Sequence, residues 1–373
     1  MLKLAKRVLA VIFLLAVCVN NPLMAQHEEE KASHQTEEAH ENEKFDAGKF
    51  IFDHVLDSYD WHIASYGDKH ITIPLPIILF SQNPELHGGK KLHIFMSSKF
   101  HHGHDDYKGF RISQSVLHEG KIVELDQNGH ELDRPVDLSI TKTVAGIFVS
   151  VIVLFFILFP AARSARHSTA RAPSGLQNLI EPVVIFIRDE VAKPAIGEEK
   201  YQKFMPFLLS LFFFILLNNL LGLIPIFPFG ANVTGNIGVT LVLALSTFFV
   251  THIKANKHYW KELVNPNVPW WLKLPIPLMP IVEISGVFTK PFVLMIRLFA
   301  NMLAGHLIVT VFVSLIFIFG SLMGAGAGYG VSPVSIAFSV FILLLDVLVS
   351  FIQAYVFTLL SALYFGMATA EEH

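Results

Sequence analysis

Cysteine is almost absent from this chain: Cys18 is the single one among 373 residues. It lies in an N-terminal stretch read below as a leader, so the remaining chain offers no disulfide and no thiol chemistry. Basic charge is missing over a long interval, with no Lys or Arg between Lys203 and Lys254. The net charge of -3 is too small to imply a nucleic-acid or polyanion partner. No phosphate-cradling loop of the form G-x-x-x-x-G-K-S/T occurs, so neither a nucleotide site nor a bound cofactor is expected. No internal repeat relates the halves of the chain.

What is present is apolar residue, in quantity and unevenly spread. Hydrophobic residues make up 53% of the chain, Phe alone occurs 33 times, and the mean hydropathy is +0.51. This is the composition of a membrane protein with a soluble front end. Residues 1–25 carry Lys3, Lys6 and Arg7, then an apolar run from Val8 to Val19, then Pro22 to Ala25. That order is a secretory signal peptide cut after Ala25, with a first membrane anchor as the alternative. Residues 26–44 are crowded with Glu and His and are expected to form a disordered, solvated tail.

Residues 45–140 have another texture. The segments His70 to Phe80, Lys91 to Met96 and Lys121 to Leu125 are rich in β-branched residues and partly alternating, and Asp126-Gln-Asn-Gly129 is a turn signal. They predict a small β-rich domain. Thirteen of the 18 histidines precede residue 140, including His101, His102 and His104 beside Asp105 and Asp106. The cluster lacks the paired spacing of a structural zinc site, so a solvated loop is expected and no metal is assigned.

Residues 141–373 form the membrane part. Val144 to Ala162 is long and apolar enough for a first span, and Arg163, Arg166 and Arg171 follow at once. The positive-inside bias places that end in the cytoplasm and the β-rich domain outside. Gly175 to Ala192 alternates apolar and charged faces at helical spacing, which suits an amphipathic helix on the cytoplasmic surface. Phe204 to Phe229 crosses outward, interrupted by Asn218-Asn219, and Ile237 to Thr251 returns. From about Ile281 to Phe319 runs a helix longer than one span requires. A Gly-rich turn, Gly324 to Gly330, separates it from a second long segment, Ser332 to Ala368. The expected fold is an all-α polytopic membrane protein of five spans and one surface helix, ending in a long tilted hairpin with a cytoplasmic C-terminus.

Few polar groups occur in that hairpin. Arg297 follows six apolar residues and precedes three. Its charge persists at any accessible pH and burying it in lipid is costly, so it is a functional candidate, with a structural ion pair as the plainer alternative. Counted from a turn near Ala325, Arg297 and Gln353 are equally far along the two arms. His306 lies about 13 Å beyond Arg297 and Asp346 about 10 Å beyond Gln353, so a His and an acid fall at one depth. Glu283 lies about 21 Å the other way, within roughly 40° of the same face, and Asn301 is one turn from Arg297. The plainer readings are a satisfied His306/Asp346 pair, interhelical hydrogen bonding by Asn301 and Gln353, and a solvated end at Glu283.

The strings Arg297-Leu-Phe-Ala-Asn301-Met-Leu-Ala-Gly-His306, Ile352-Gln353-Ala-Tyr-Val-Phe-Thr-Leu359 and Asn218-Asn-Leu-Leu-Gly-Leu-Ile-Pro225 strongly resemble subunit a of the F-type ATP synthase. The resemblance covers about residues 140 to 370. It implies the non-catalytic stator half of a rotary proton motor in a bacterial inner membrane. Such a subunit offers two offset half-channels to a ring of c subunits, beside the b-subunit peripheral stalk, in contact with lipid and not nucleic acid. Arg297 matches the family's essential arginine, and Asn301 and Gln353 match its polar neighbours. His306 and Asp346 stand where the family holds a His and an acid in varying arrangement, here in the mitochondrial order with Asp for the usual Glu. Glu283 would serve the inner exit, and Asn218 and Asn219 are possible channel lining. The rival readings are a proton-coupled secondary transporter using Arg297, His306 and Asp346, and a metal-binding receptor built on the His-rich front domain.

Overall fold

The structure is a computed structural model that describes residues 57–370 apart from 67–68, 104, 114, 116–117, 119, 168–174, 225–227 and 265–277. The predicted leader (1–25) and tail (26–44) lie outside the described residues. The chain divides into two compact units. Among the described residues one comprises 57–142 with 304–345, the other 143–303 with 346–370.

In the first unit, seven strands follow one another: β1 Asp60–Tyr66, β2 Lys69–Pro74, β3 Pro76–Phe80, β4 Leu92–Met96, β5 Phe110–Ile112, β6 Ile122–Glu124 and β7 Val136–Asp137. They pair antiparallel as β1 with β2, as β4-β3-β7, and as β5 with β6. Alternation selects the core: Ile77 and Leu79 of β3 and Phe95 of β4 turn inward, while Phe80, Leu92, Ile94 and Met96 turn outward. Tyr59, Phe100, Phe110 and Ile122 complete the buried cluster. Each such side chain taken out of water contributes about 1.5–3 kcal/mol. The expected turn at Asp126 forms, with Gly129 at φ +82° and its N–H donating to Asp126 O at 3.1 Å.

Five helices among the described residues are long and apolar enough to cross a membrane. In a bilayer such segments become helical because every backbone N–H and C=O must be satisfied internally. They are α1 Lys142–His167, α4 Tyr201–Gly222, α5 Ile237–Lys254, α7 Leu278–Met323 and α8 Ala325–Thr369. Between them lie α2 Leu176–Phe186, a π-helical stretch Ile187–Ala192, α3 Lys193–Ile196, and α6 Lys257–Val264. A helix therefore forms where the amphipathic one was expected, but it does not stop at Ala192; it passes through the π stretch to Ile196. An Asp189 carboxylate held by Arg188 and by Lys193, each at 2.8 Å, spans that irregular turn.

Two expectations shift. The crossing predicted to run outward ends as α4 at Gly222, seven residues before the predicted Phe229, with Leu223 as its C-cap. The predicted Gly324–Gly330 turn reduces to one residue: Gly324 takes φ +88°, and Ala325 already starts α8. The remaining glycines are helical, and of them Gly328 serves packing, meeting Gly320 and the Ile316 carbonyl so closely that a Cβ would come within 3.1 Å.

In the second unit, α4 lies against α8, with Phe204 stacked on Phe365 at 4.8 Å and Phe212 meeting Phe351 at 5.8 Å. Thr247 of α5 touches Ser361 of α8 at 3.3 Å. The last carbonyls of α8, which have no partner within the helix, accept hydrogen bonds from Asn256 N, Asn256 Nδ2 and Lys200 Nζ at 2.8–2.9 Å.

Candidate functional site

Helix α7 has two faces at the level of Arg297. Leu294, Met295, Leu298 and Met302 are buried at 6% exposure or less. Arg297 is on the other face and exposed, together with Phe292, Val293, Ile296 and Ala300. No acidic group among the described residues comes within salt-bridge distance of its guanidinium. An always-charged group thus stands in an otherwise apolar, outward stripe of a membrane-length helix. On α8 the residues flanking Gln353 also turn outward: Val347, Leu348, Phe351 and Ile352 are all exposed apolar side chains.

The other candidates are sorted by burial. Gln353 is 6% exposed, Asn218 2% and Asn219 0%; Asn301, His306, Asp346 and Glu283 are half-buried. Several carry atoms that are buried without a hydrogen-bond partner among the described residues: Asn218 Oδ1, Asn219 Nδ2, His306 Nε2, Asp346 Oδ2 and Gln353 Nε2, joined by Ser350 Oγ. Leaving one such group unmade costs about 1–3 kcal/mol, so this concentration is not neutral packing. Buried polar groups of this kind are places for water and for proton transfer. Where partners exist they are local: Asn218 Nδ2 donates to Phe214 O at 2.7 Å, and Asn219 Oδ1 accepts from Thr234 Oγ1 at 2.6 Å.

Within the second unit the register of α4 on α8 is antiparallel, since Phe204 meets Phe365 and Phe212 meets Phe351. Continuing it for about 7–10 Å along each helix carries Asn218 and Asn219 to the level of Asp346. Lys290 of α7 sits 5.5 Å from the Tyr364 ring of α8. Arg297 acts electrostatically on the same Tyr364. In the first unit Phe312 stacks on Phe338 at 5.4 Å, and His306 lies within electrostatic range of Lys142.

Glu283 is near Tyr259 of α6. Burial first, and then the Glu283 carboxylate, push the Tyr259 phenol up from its ordinary range. Sequence reasoning passed over Tyr259, His252 and Lys290. Only Lys290 left a signal in the sequence, the seven-residue spacing Glu283, Lys290, Arg297 that keeps all three near one helical face. The histidine loop of the β-rich domain uses His101 locally, its Nδ1 lying 2.5 Å from Asp105 Oδ2.

Residues 144–366 match the family described as ATP synthase A chain, and residues 50–142 match a domain of unknown function (DUF8433). ATP synthase subunit a of Chloroherpeton thalassium is 44% identical over 244 residues, 63% of this chain and 68% of that protein. ATP synthase subunit a 2 of Chlorobaculum tepidum is 47% identical over 240 residues, 63% of this chain and 64% of that protein. The Myxococcus xanthus subunit a is 40% identical over 259 residues, 67% of this chain and 80% of that protein. The family match covers all five candidate spans but for the first two residues of α1 and the last few of α8. The outward arginine and the orphaned polar groups lie inside the matched region, and this membrane part makes the chain a member of the ATP synthase subunit a family.

Proposed function

We propose that this chain is the proton-conducting stator subunit of a rotary ATP synthase, with Arg297 directed at the carboxylates of a turning c ring. The supporting observation is the exposure of Arg297 in an apolar stripe with no acidic partner among the described residues. A charge so placed is unfavourable toward lipid by several kcal/mol, roughly 3 to more than 10. It is favourable toward an acid that passes in the membrane plane.

A ring carboxyl facing lipid stays protonated because desolvation disfavours its anion. Beside Arg297 the positive charge favours the ionised form by roughly 1–3 pKa units, so the proton is released there. A fixed cation also repels protons and keeps the two half-channels from short-circuiting. Gln353, one helix away, and Asn301, one turn away, are the polar neighbours that orient this exchange. His306, Asp346, Asn218 and Asn219 form the outer half-channel, where the imidazole exchanges protons and the Asp346 carboxylate orients it. Glu283 serves the inner one. The driving force is the membrane potential, about 2.3 kcal/mol per charge per 100 mV. The β-rich domain lies outside the inner membrane of a bacterium, the C-terminus lies in the cytoplasm, and a b-subunit stalk holds the stator. A cleaved leader (1–25), a tail (26–44) and a front domain (45–140) precede the membrane domain (141–373).

The test is proximity. Ile296→Cys and Ala300→Cys flank the arginine on its exposed face. In the assembled complex each is expected to form a disulfide with a cysteine placed one turn from the ring carboxylate. Crosslinks to lipid probes alone, with no ring product at either position, would sink the reading.

A further inference from the structure

In the second unit, α5, α6, α7 and α8 close around a cleft lined by Thr251, His252, Tyr259, Lys290, Leu294 and Tyr364, among others. Leu294 is one helical turn from Arg297, and Val287, another lining residue, is one turn from Glu283. The cleft therefore runs along α7 between the level of the acid and the level of the guanidinium.

His252 is the group whose chemistry fits this position. Its Nδ1 lies 2.7 Å from the Phe248 carbonyl oxygen. A carbonyl only accepts, so Nδ1 carries the hydrogen and the lone pair of the neutral ring is on Nε2. Nε2 faces the Tyr259 hydroxyl at 3.4 Å. Phe248, Tyr259 and Trp260 hold the ring, with centroids at 4.1, 5.8 and 5.6 Å. Burial and the Glu283 charge keep the Tyr259 phenol protonated, so it donates to the neutral imidazole. The titratable and charged groups that line the cleft with the ring are Tyr259 from α6, Lys290 from α7 and Tyr364 from α8, and Glu283 of α7 acts electrostatically on Tyr259. The plainer role for His252 is to finish the last turn of α5.

We propose that this cleft is the inner proton port of the chain and that His252 is its exchanging group. This rests on the stator reading above and adds to it a carrier on α5, beside the acid on α7. The step conserves charge and atoms. A ring carboxylic acid gives its proton, through water in the cleft, to Nε2. The carboxylate left behind faces Arg297, and the Tyr259 hydroxyl turns from donor to acceptor of the new Nε2–H. The proton then leaves Nε2 for bulk water, which restores the lone pair. Pumping runs the same steps backward.

The experiment uses the whole complex in inverted membrane vesicles, with His252→Ala, Tyr259→Phe and Arg297→Gln made in parallel. His252→Ala is expected to slow ATP-driven proton pumping by about a hundredfold, the low end of what a positioned proton-transfer group contributes. Its dependence on the pH of the exposed face should flatten, and added imidazole, which enters the cleft from solvent, should restore the rate. Tyr259→Phe should lower the rate by less and shift the same pH profile. A wild-type rate and profile in His252→Ala would overturn the proposal. So would a loss that imidazole does not recover in complexes that still retain the subunit. If Arg297→Gln abolishes pumping while His252→Ala behaves as wild type, only the port falls; if Arg297→Gln also pumps normally, the stator reading falls with it.

Discussion

Replacing Arg297 by glutamine keeps much of the side chain's length and hydrogen bonding but removes its charge. The guanidinium has no internal counterion among the described residues, so its whole field is available to a group outside this chain. An opposite charge close by moves a carboxyl by about 1–3 pKa units. At 1.36 kcal/mol per unit this is about 1.4–4 kcal/mol of preference for the anion, or about 10- to 1000-fold in its population. Proton release from the ring should fall by that factor, so ATP synthesis driven by an imposed proton gradient in sealed vesicles should drop to a tenth or less. Passive proton leak through the membrane sector should rise at the same time, because the barrier between the half-channels was that charge. Synthesis at the wild-type rate would refute the reasoning. So would a lost synthesis rate with the leak unchanged, since one charge is asked to do both tasks.

His306 and Asp346 are proposed to act together, so exchanging them (His306→Asp with Asp346→His) should retain more pumping than replacing either one by alanine; equal losses in all three variants would show that they are not coupled. In the β-rich domain, Tyr59 donates from its hydroxyl to Asp137 Oδ2 at 2.5 Å, and both residues are buried. Tyr59→Phe should therefore cost about 1–3 kcal/mol, read as faster hydrogen exchange at β3 and β7. The same phenol is held well above its ordinary value, first by burial and then by Asp137. Its folded value exceeds its unfolded one, so the stabilisation is complete below about pH 10 and is lost as pH rises through the folded value. Alkaline loosening of β3 that persists undiminished in Tyr59→Phe would contradict this.

The spans were legible because each is a long apolar run for which a bilayer permits few structures other than a helix. Arg297 was legible for the same reason: a permanent charge inside such a run has few plain explanations. Helix counting then added Gln353, Asn301 and the His306/Asp346 positions, and the family strings gave them roles. What resisted was set by tertiary structure. β1, Asp-Trp-His-Ile-Ala-Ser-Tyr, has a mixed texture and becomes a strand by backbone pairing with β2, with a register shift after His62. β7 has only two residues and depends on pairing with β3. The glycines after Gly324 looked like a turn because glycine disfavours helices in isolation, yet at Gly328 close packing rewards it. Gly366 shows the same effect, lying so near the Ala195 backbone that no side chain fits. His252 and Tyr259 are seven residues apart on different helices, and nothing in their spacing announces that they meet over Lys290.

The one-residue link at Gly324 has a mechanical consequence. The two longest helices are 46 and 45 residues, and between them there is no slack. Neither can slide along its length or turn about its axis without dragging the other through that single left-handed joint. In the proposed role beside a rotating neighbour such stiffness is an advantage: a sideways push delivered to one helix is carried by both.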